Sequence, residues 1–67
     1  MMLTDRLEQA NTWPLLNIRS EWARILNVPD YQLYNAHRAG RLEGQKMGWT
    51  MTHTKQQITT WLETYGY

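Results

Sequence analysis

This 67-residue sequence contains no cysteine and no phenylalanine. Without cysteine, neither a disulfide nor a thiolate metal site can stabilise the chain, so its stability has to come from side-chain packing. The large aromatic side chains available for packing are four tryptophans and four tyrosines, each able to bury a large area. A chain of this length supports one small domain, and we expect residues 1–67 to form it.

Long hydrophobic runs are missing as well. No stretch approaches the roughly 20 apolar residues that span a bilayer. Asp5 and Glu8 interrupt the N-terminal stretch, which therefore does not resemble a secretory signal. We expect the protein to be cytoplasmic and to have no membrane partner.

The motifs of common catalytic sites are also absent from the sequence. There is no glycine-rich phosphate loop, no nucleophile motif and no carboxylate pair at a catalytic spacing. His37 and His53 are sixteen residues apart, without a carboxylate placed to complete a ligand set. We interpret them as core or surface histidines. The sequence therefore predicts a protein that is not an enzyme and needs no cofactor and no metal.

Positive charge is concentrated in one part of the chain. Residues 31–55 have a charge balance of +3, whereas residues 1–30 sum to −1 and the whole chain to +1. The cations of the positive stretch are Arg38, Arg41, Lys46 and Lys55. A local excess of this kind is typical of a surface that meets an anionic partner.

The first half of the chain predicts a short helix, an extended segment and a second helix. Thr4 is the expected cap of a short helix over residues 5–10, and Pro14 separates this helix from an extended segment at residues 15–18. Ser20 is the expected cap of the second helix. The apolar residues at helical spacing in that helix are Trp22, Ile25 and Leu26.

A tight connection joins this helix to the next one. Pro29 ends the first helix, and Asp30 is the expected cap of a helix from about Tyr31 to Ala39, with Gly40 at its C′ position. Two helices joined by so few residues are typical of a helix-turn-helix. The expected inward face comprises Leu33, Ala36 and His37. The expected outward face comprises Gln32, Asn35 and Arg38, with Tyr31 and Tyr34 at its edge.

A β-hairpin and a final helix are expected in the last third of the chain. Turn signals at Met47 and Gly48 separate two expected strands, Leu42–Lys46 and Trp49–His53, the second of which alternates with period two. Thr54 is the expected cap of the final helix. The apolar stripe of that helix is Ile58, Trp61, Leu62 and Tyr65. The tryptophans expected in the core are Trp22, Trp49 and Trp61.

An ordered set of short motifs runs from about residue 15 to residue 65. The motifs are Leu16-Asn17-Ile18, Ser20-Glu21, Ala23, Leu26-Asn27-Val28, Leu33-Tyr34, Arg38-Ala39-Gly40-Arg41-Leu42, Lys46, Gly48-Trp49, Ile58 and Trp61-Leu62. Their order resembles the excisionase-like winged helix-turn-helix proteins related to the MerR-type DNA-binding domain. The resemblance implies a mainly α fold with a small β-hairpin, a winged helix-turn-helix over residues 15–65, preceded by an extension, residues 1–14, with a short helix.

By this resemblance, Tyr31–Ala39 is a recognition helix that enters the major groove, and residues 42–53 form a wing on an adjacent groove. Asn and Gln pair bidentately with adenine and Arg with guanine, so the outward face of the helix has suitable chemistry. The alternative is an ordinary solvated face. The full set of candidate DNA-binding residues is Tyr31, Gln32, Tyr34, Asn35, Arg38, Arg41, Lys46 and Lys55. Of these, Arg41, Lys46 and Lys55 would hold phosphates, unless they are scattered surface cations.

These observations lead to two main hypotheses. The first is a small sequence-specific protein on double-stranded DNA, either an excisionase-like recombination directionality factor that helps a recombinase or a transcriptional regulator. Since one domain reads few base pairs, cooperative or dimeric binding is expected.

The second hypothesis is a winged-helix protein-interaction module or inhibitor of mobile-element origin that does not rely on DNA. Its expected surface is Tyr31, Tyr34, Met47 and Trp49. Trp49 therefore has three interpretations: a core residue, a residue that stacks at the wing, or part of an apolar contact patch. The head of a larger regulator is a third reading of the chain.

Overall fold

A 3₁₀ helix, three α-helices and a three-stranded antiparallel sheet make up residues 3–65, the part of the chain that this computed structural model describes. In chain order they are the 3₁₀ helix Leu3–Thr12, β1 (Leu16–Ile18), α1 (Arg19–Leu26), α2 (Asp30–Arg38), β2 (Gln45–Met47), β3 (Thr50–Thr54) and α3 (Lys55–Tyr65). None of the helices in this described part is long and apolar enough to cross a membrane.

Strand β3 lies at the centre of the sheet, between β1 and β2. Leu16 of β1 lies opposite Thr54, and Met47 of β2 lies opposite Thr50. The expected extended segment and hairpin are both present. The first hairpin strand begins three residues later and ends one residue later than expected, and the second is shifted by one residue toward the C-terminus. The turn comprises Gly48 and Trp49, one residue later than expected. Pairing of β1 with β3 was not predicted, because strands so far apart in sequence give no local signal.

The N-terminal segment folds as a 3₁₀ helix that covers the expected short helix at residues 5–10. It packs on the core through Leu7 and Ala10, and the Arg6 side chain donates a hydrogen bond to the carbonyl of Leu26 at the end of α1. The expected cap side chain, that of Thr4, lies outside the described side chains.

Two of the expected helix caps are wrong. Helix α1 begins at Arg19, one residue before Ser20, and no side chain caps it. Helix α2 includes Asp30 as its first residue and also lacks a side-chain cap. The Asp30 carboxylate instead accepts hydrogen bonds from Arg19, at 3.0 Å from Nε and 3.1 Å from Nη2. A tertiary ion pair has therefore taken the place of a local cap.

Two other expected helix boundaries, the end of α2 and the start of α3, are confirmed. Gly40 follows α2 with φ +79°, a conformation that favours glycine. At the start of α3, Thr54 Oγ1 accepts from the Gln57 N–H at 3.0 Å and Gln57 Oε1 accepts from the Thr54 N–H at 2.8 Å. These reciprocal hydrogen bonds form a capping box, which fixes the point where β3 becomes α3.

Trp22 occupies the centre of the core. Its ring is fully buried, packs edge-on against Trp13 with the ring centroids 5.8 Å apart, and donates an Nε1 hydrogen bond of 2.8 Å to the His53 carbonyl in β3. The buried apolar residues of the core are Trp13, Trp22, Ala23, Leu26, Leu33, Ala36, Leu42, Ile58, Trp61 and Leu62. The expected core positions of Trp22 and Trp61 are confirmed, but that of Trp49 is wrong, because Trp49 is 98% exposed in the hairpin turn.

Gly44 is a position at which the core tolerates no side chain. A Cβ atom there would lie 2.5 Å from the His53 ring and 2.9 Å from the Thr52 carbonyl oxygen. We expect Gly44→Ala to lower the free energy of unfolding by about 1–3 kcal/mol, because the buried ring and the strand backbone cannot move aside cheaply. Urea denaturation measures the change. The matched control is Glu43→Ala at an exposed neighbour, expected within about 0.5 kcal/mol of the wild type; equal midpoints for the two variants would contradict the packing described.

Candidate nucleic-acid interface

Helix α2 divides into a buried side and an exposed side, as its sequence predicted. Leu33 and Ala36 are buried against the core, and His37 is half-buried beside them. The exposed side consists of Tyr31, Tyr34, Asn35 and Arg38, which we call the α2 face. Gln32 is half-buried and lies at the margin of this face. The α2 face thus presents phenol, amide and guanidinium groups to solvent from a helix held on its opposite side.

Arg19 connects the start of α1 to the α2 face. Its guanidinium pairs with Asp30 and lies over the Tyr34 ring, 5.2 Å from the ring centroid. At partly exposed positions such an ion pair stabilises by less than about 1 kcal/mol, and a cation–π contact by about 0.5–1 kcal/mol. The main effect of Arg19 is therefore to fix the orientation of Tyr34 and the relative placement of α1 and α2.

A shallow depression separates the α2 face from the C-terminal end of α3. Arg41 lies there together with Tyr31, Gln32 and Asn35 of α2, and the far wall is formed by α3. The α3 residues of that wall are Trp61 and Tyr65. Four of the predicted DNA-binding residues are thus brought to one side of α2.

The β2–β3 hairpin lies beside the start of α1. Lys46 and Trp49 line a depression that also includes Arg19 and Ser20. Arg19 also contacts Tyr34, so this one side chain lies between the hairpin and the α2 face. Lys46 and Met47 are both exposed on β2.

Lys55 is placed apart from the other predicted site residues. It follows β3 at the end opposite the hairpin turn, and its backbone N–H donates to the Leu15 carbonyl at 2.8 Å. Its half-buried side chain lies beside Leu15 and Thr59. Of the eight predicted residues, the structure gathers seven around α2 and the hairpin and leaves Lys55 outside that surface.

The charge of this surface is only partly neutralised within the chain. Arg19 and Arg24 pair with Asp30 and Glu21. Among the described side chains, those of residues 6–65, no carboxylate lies within ion-pairing distance of Arg38, Arg41 or Lys46. These three cations therefore remain available to an anionic partner.

Two structural features around the hairpin were not predicted from sequence. The first is a hydrogen-bonded chain: Gln57 Nε2 donates to Gln45 Oε1 at 3.1 Å, Gln45 Nε2 donates to Thr52 Oγ1 at 3.1 Å, and the Thr52 hydroxyl donates to the Gln45 carbonyl at 3.0 Å. It attaches the base of the hairpin to α3. The glutamines are separated by twelve residues and carry no motif that could have identified the chain.

The second feature is a contact between His37 and His53, whose ring centroids are 5.8 Å apart in an edge-on arrangement. Each Nδ1 lies near a carbonyl oxygen, at 2.9 Å from that of Leu42 and 2.8 Å from that of Glu43, so each Nδ1 carries a proton and donates. Within the described residues, no group of three or more metal-ligating side chains surrounds them. The contact between the two rings connects the end of α2 to β3.

Burial lowers the pKa of His53. The His53 ring is fully buried, and its Nε2 has no hydrogen-bond partner among the described residues. Desolvation is the largest cause; the hydrogen bond to the Glu43 carbonyl opposes it, and His37 and Arg19 add smaller repulsions. A proton on Nε2 would place a charge in the core without an acceptor, so the folded state favours the neutral ring.

Comparison of the chain with protein-family models, with curated proteins and with solved structures found no match. What the surface binds therefore has to be inferred from its own chemistry. Its exposed groups are amide, phenol, guanidinium and ammonium groups. Such donors suit phosphate oxygens and the edges of bases.

The lowered pKa of His53 predicts a stability that depends on pH. Because the unfolded chain takes up a proton near pH 6.5 and the folded chain only at lower pH, the free energy of unfolding is highest above about pH 6.5 and falls as the pH decreases, by up to about 1.4 kcal/mol per pH unit. Urea denaturation at neutral pH and near pH 5.5 measures this fall. His53→Gln removes the titrating group, so this variant should be less stable, and its free energy of unfolding should depend less on pH. His37→Gln should retain most of the pH dependence. A wild-type stability that rises toward pH 5.5 would contradict the assignment.

Proposed function

We propose that this protein is a small sequence-specific DNA-binding protein with a winged helix-turn-helix fold. In this proposal α1 and α2 form the helix-turn-helix, α2 is the recognition helix, and the β2–β3 hairpin is the wing. The element order and the three-residue connection between α1 and α2 support this interpretation. The α2 face would enter the major groove, with the wing on an adjacent groove.

The observation that carries the proposal is the α2 face itself. Asn35 and Arg38 are one helical turn apart, are exposed, and project from a helix whose opposite side is buried. Asn can pair bidentately with adenine and Arg with guanine in the major groove. Gln32, at the margin of the face, adds a second amide. A rigid helix with these groups can read base edges.

Phosphate contacts would come from the cations around this helix. Arg41 lies beside α2, and Lys46 lies on the wing; neither has an ion-pair partner among the side chains of residues 6–65. With so few cations, the affinity would be modest, and the logarithm of the binding constant would fall by about 0.9 per phosphate contact for each tenfold rise in salt. Lys55 lies away from this surface and is expected to contribute little.

The resemblance to excisionases favours a role in recombination or in transcription. One nine-residue helix reads only a few base pairs, so useful specificity requires several copies on neighbouring sites. Cooperative or dimeric binding, and a recombinase partner in the excisionase case, belong to this proposal.

Exposed aromatic and apolar side chains favour a second candidate function, a protein-interaction module. Tyr31, Tyr34, Met47 and Trp49 are all exposed, by 66%, 44%, 55% and 98%. Such side chains are enriched at protein interfaces. The second function would not require the cations of Arg38, Arg41 and Lys46, and this difference separates the two candidates.

The first experiment is selection of bound sequences from a random duplex pool at low salt. We expect an enriched motif for the wild type, a relaxed preference for Arg38→Ala with a loss of about 5- to 150-fold on the selected duplex, and little change for Arg24→Ala. Arg24→Ala is the matched control, since it removes the same charge from an exposed arginine already paired with Glu21.

The same experiment can contradict the proposal. Lack of any duplex retardation at low salt, together with co-purification of a protein that Tyr31→Ala releases, would favour the interaction module. Equal losses for Arg38→Ala and Arg24→Ala would mean that only net charge matters and that α2 does not read bases.

A further inference from the structure

Trp49 differs from the other tryptophans of the chain. Trp13, Trp22 and Trp61 are buried to at least 93%, whereas Trp49 is 98% exposed. An indole carries the largest apolar surface of any side chain, and in a folded domain it is normally at least partly covered. Nothing among the described residues covers this one, so its placement calls for a partner that does.

The turn presents the indole at the tip of a short, fixed structure. Met47 and Thr50 pair directly, which leaves only Gly48 and Trp49 in the turn. Gly48 has φ +66°, and glycine in the first central position is typical of a type II′ turn. Trp49 follows in the second position. The ring is therefore held in the tight turn at the tip of the hairpin, where it is almost fully exposed.

The surroundings of Trp49 suit an anionic partner, which in the proposed function is DNA. From Gly44 to Leu62 the sequence contains no carboxylate, and Lys46 lies in the same depression as Trp49. An exposed apolar ring can stack on bases, and an unpaired cation beside it can contact the phosphates that flank those bases. Met47, exposed on the preceding strand, widens the apolar tip.

The tip lies beside the start of α1, and Arg19 connects that start to Tyr34 of the α2 face. With α2 in the major groove, the adjoining groove on the side of the hairpin is the minor groove.

We propose that Trp49 is an apolar wedge that inserts between base pairs in the minor groove beside the α2 site and bends the duplex. This inference rests on the proposed DNA-binding function and adds to it a residue that deforms DNA. Wedge side chains of this kind unstack one base step and kink the duplex by about 20–90°. The phosphates beside the inserted ring would be held by Lys46.

The first test uses the fluorescence of the protein with a mixed-sequence duplex of about 30 base pairs at low salt. Because the other three tryptophans are buried, iodide quenches Trp49 selectively in the free protein. We expect the duplex to remove this quenching. Trp49→Phe, which lacks the quenchable ring, is the control for the origin of the signal.

The second test compares affinity, salt dependence and bending, the last by energy transfer between dyes at the duplex ends. Trp49→Ala should bind about 5- to 100-fold more weakly with an unchanged salt slope, and at saturation it should leave the duplex straighter. Trp49→Phe should retain most of the affinity and bending. Lys46→Ala should instead reduce the salt slope by about one while the bend persists.

The outcomes separate the wedge from the proposed function. Two results would overturn the wedge alone. One is iodide quenching of Trp49 that persists while the wild type binds and selects DNA, and the other is normal bending of the duplex by Trp49→Ala. Loss of iodide quenching on concentrating the protein without DNA assigns Trp49 to a contact between copies and also overturns it. Absence of duplex binding by the wild type overturns both.

Discussion

The hydrogen bond from the Trp22 indole to the His53 carbonyl is the contact on which the arrangement of the molecule depends. It joins α1 to the central strand of the sheet, and the same indole packs against Trp13, which follows the N-terminal 3₁₀ helix. A buried N–H without an acceptor would cost about 1–3 kcal/mol, so the bond defines how α1 can sit on β3. Since α2 is attached to α1 by a short connection and by Arg19, its direction is defined as well.

The sequence predicted most of the helical structure because its signals were local. The helical spacing of Leu33 and Ala36 marked the buried side of α2, and Thr54 marked the start of α3. Asp30 was wrong as a cap because Arg19 takes its carboxylate, whereas Ser20 was wrong because α1 begins one residue before it. Propensity for a cap is a weak preference that one tertiary contact can override.

The candidate site was predictable in its residue types and less so in its geometry. Seven of the eight predicted residues lie around α2 and the hairpin, whereas Lys55 does not, because the end of β3 carries it away from the turn. The predicted position of Trp49 in the core was wrong because the period-two pattern that includes it begins one residue before the observed strand. The contact between His37 and His53 and the pairing of β1 with β3 depend on the assembled fold, so no local pattern could reveal them.

The hydrogen-bonded chain of Gln45, Thr52 and Gln57 has a consequence for how the protein can change over evolution. It attaches the base of the hairpin to α3, while Met47, Gly48 and Trp49 at the tip have no role in the core. Substitutions of Met47 or Trp49, or insertion of residues in pairs that keep the alternation of the strands, leave the core and its register intact. The tip can thus acquire new contacts without any change in α2, and mutations that alter these contacts need not lower the stability of the fold.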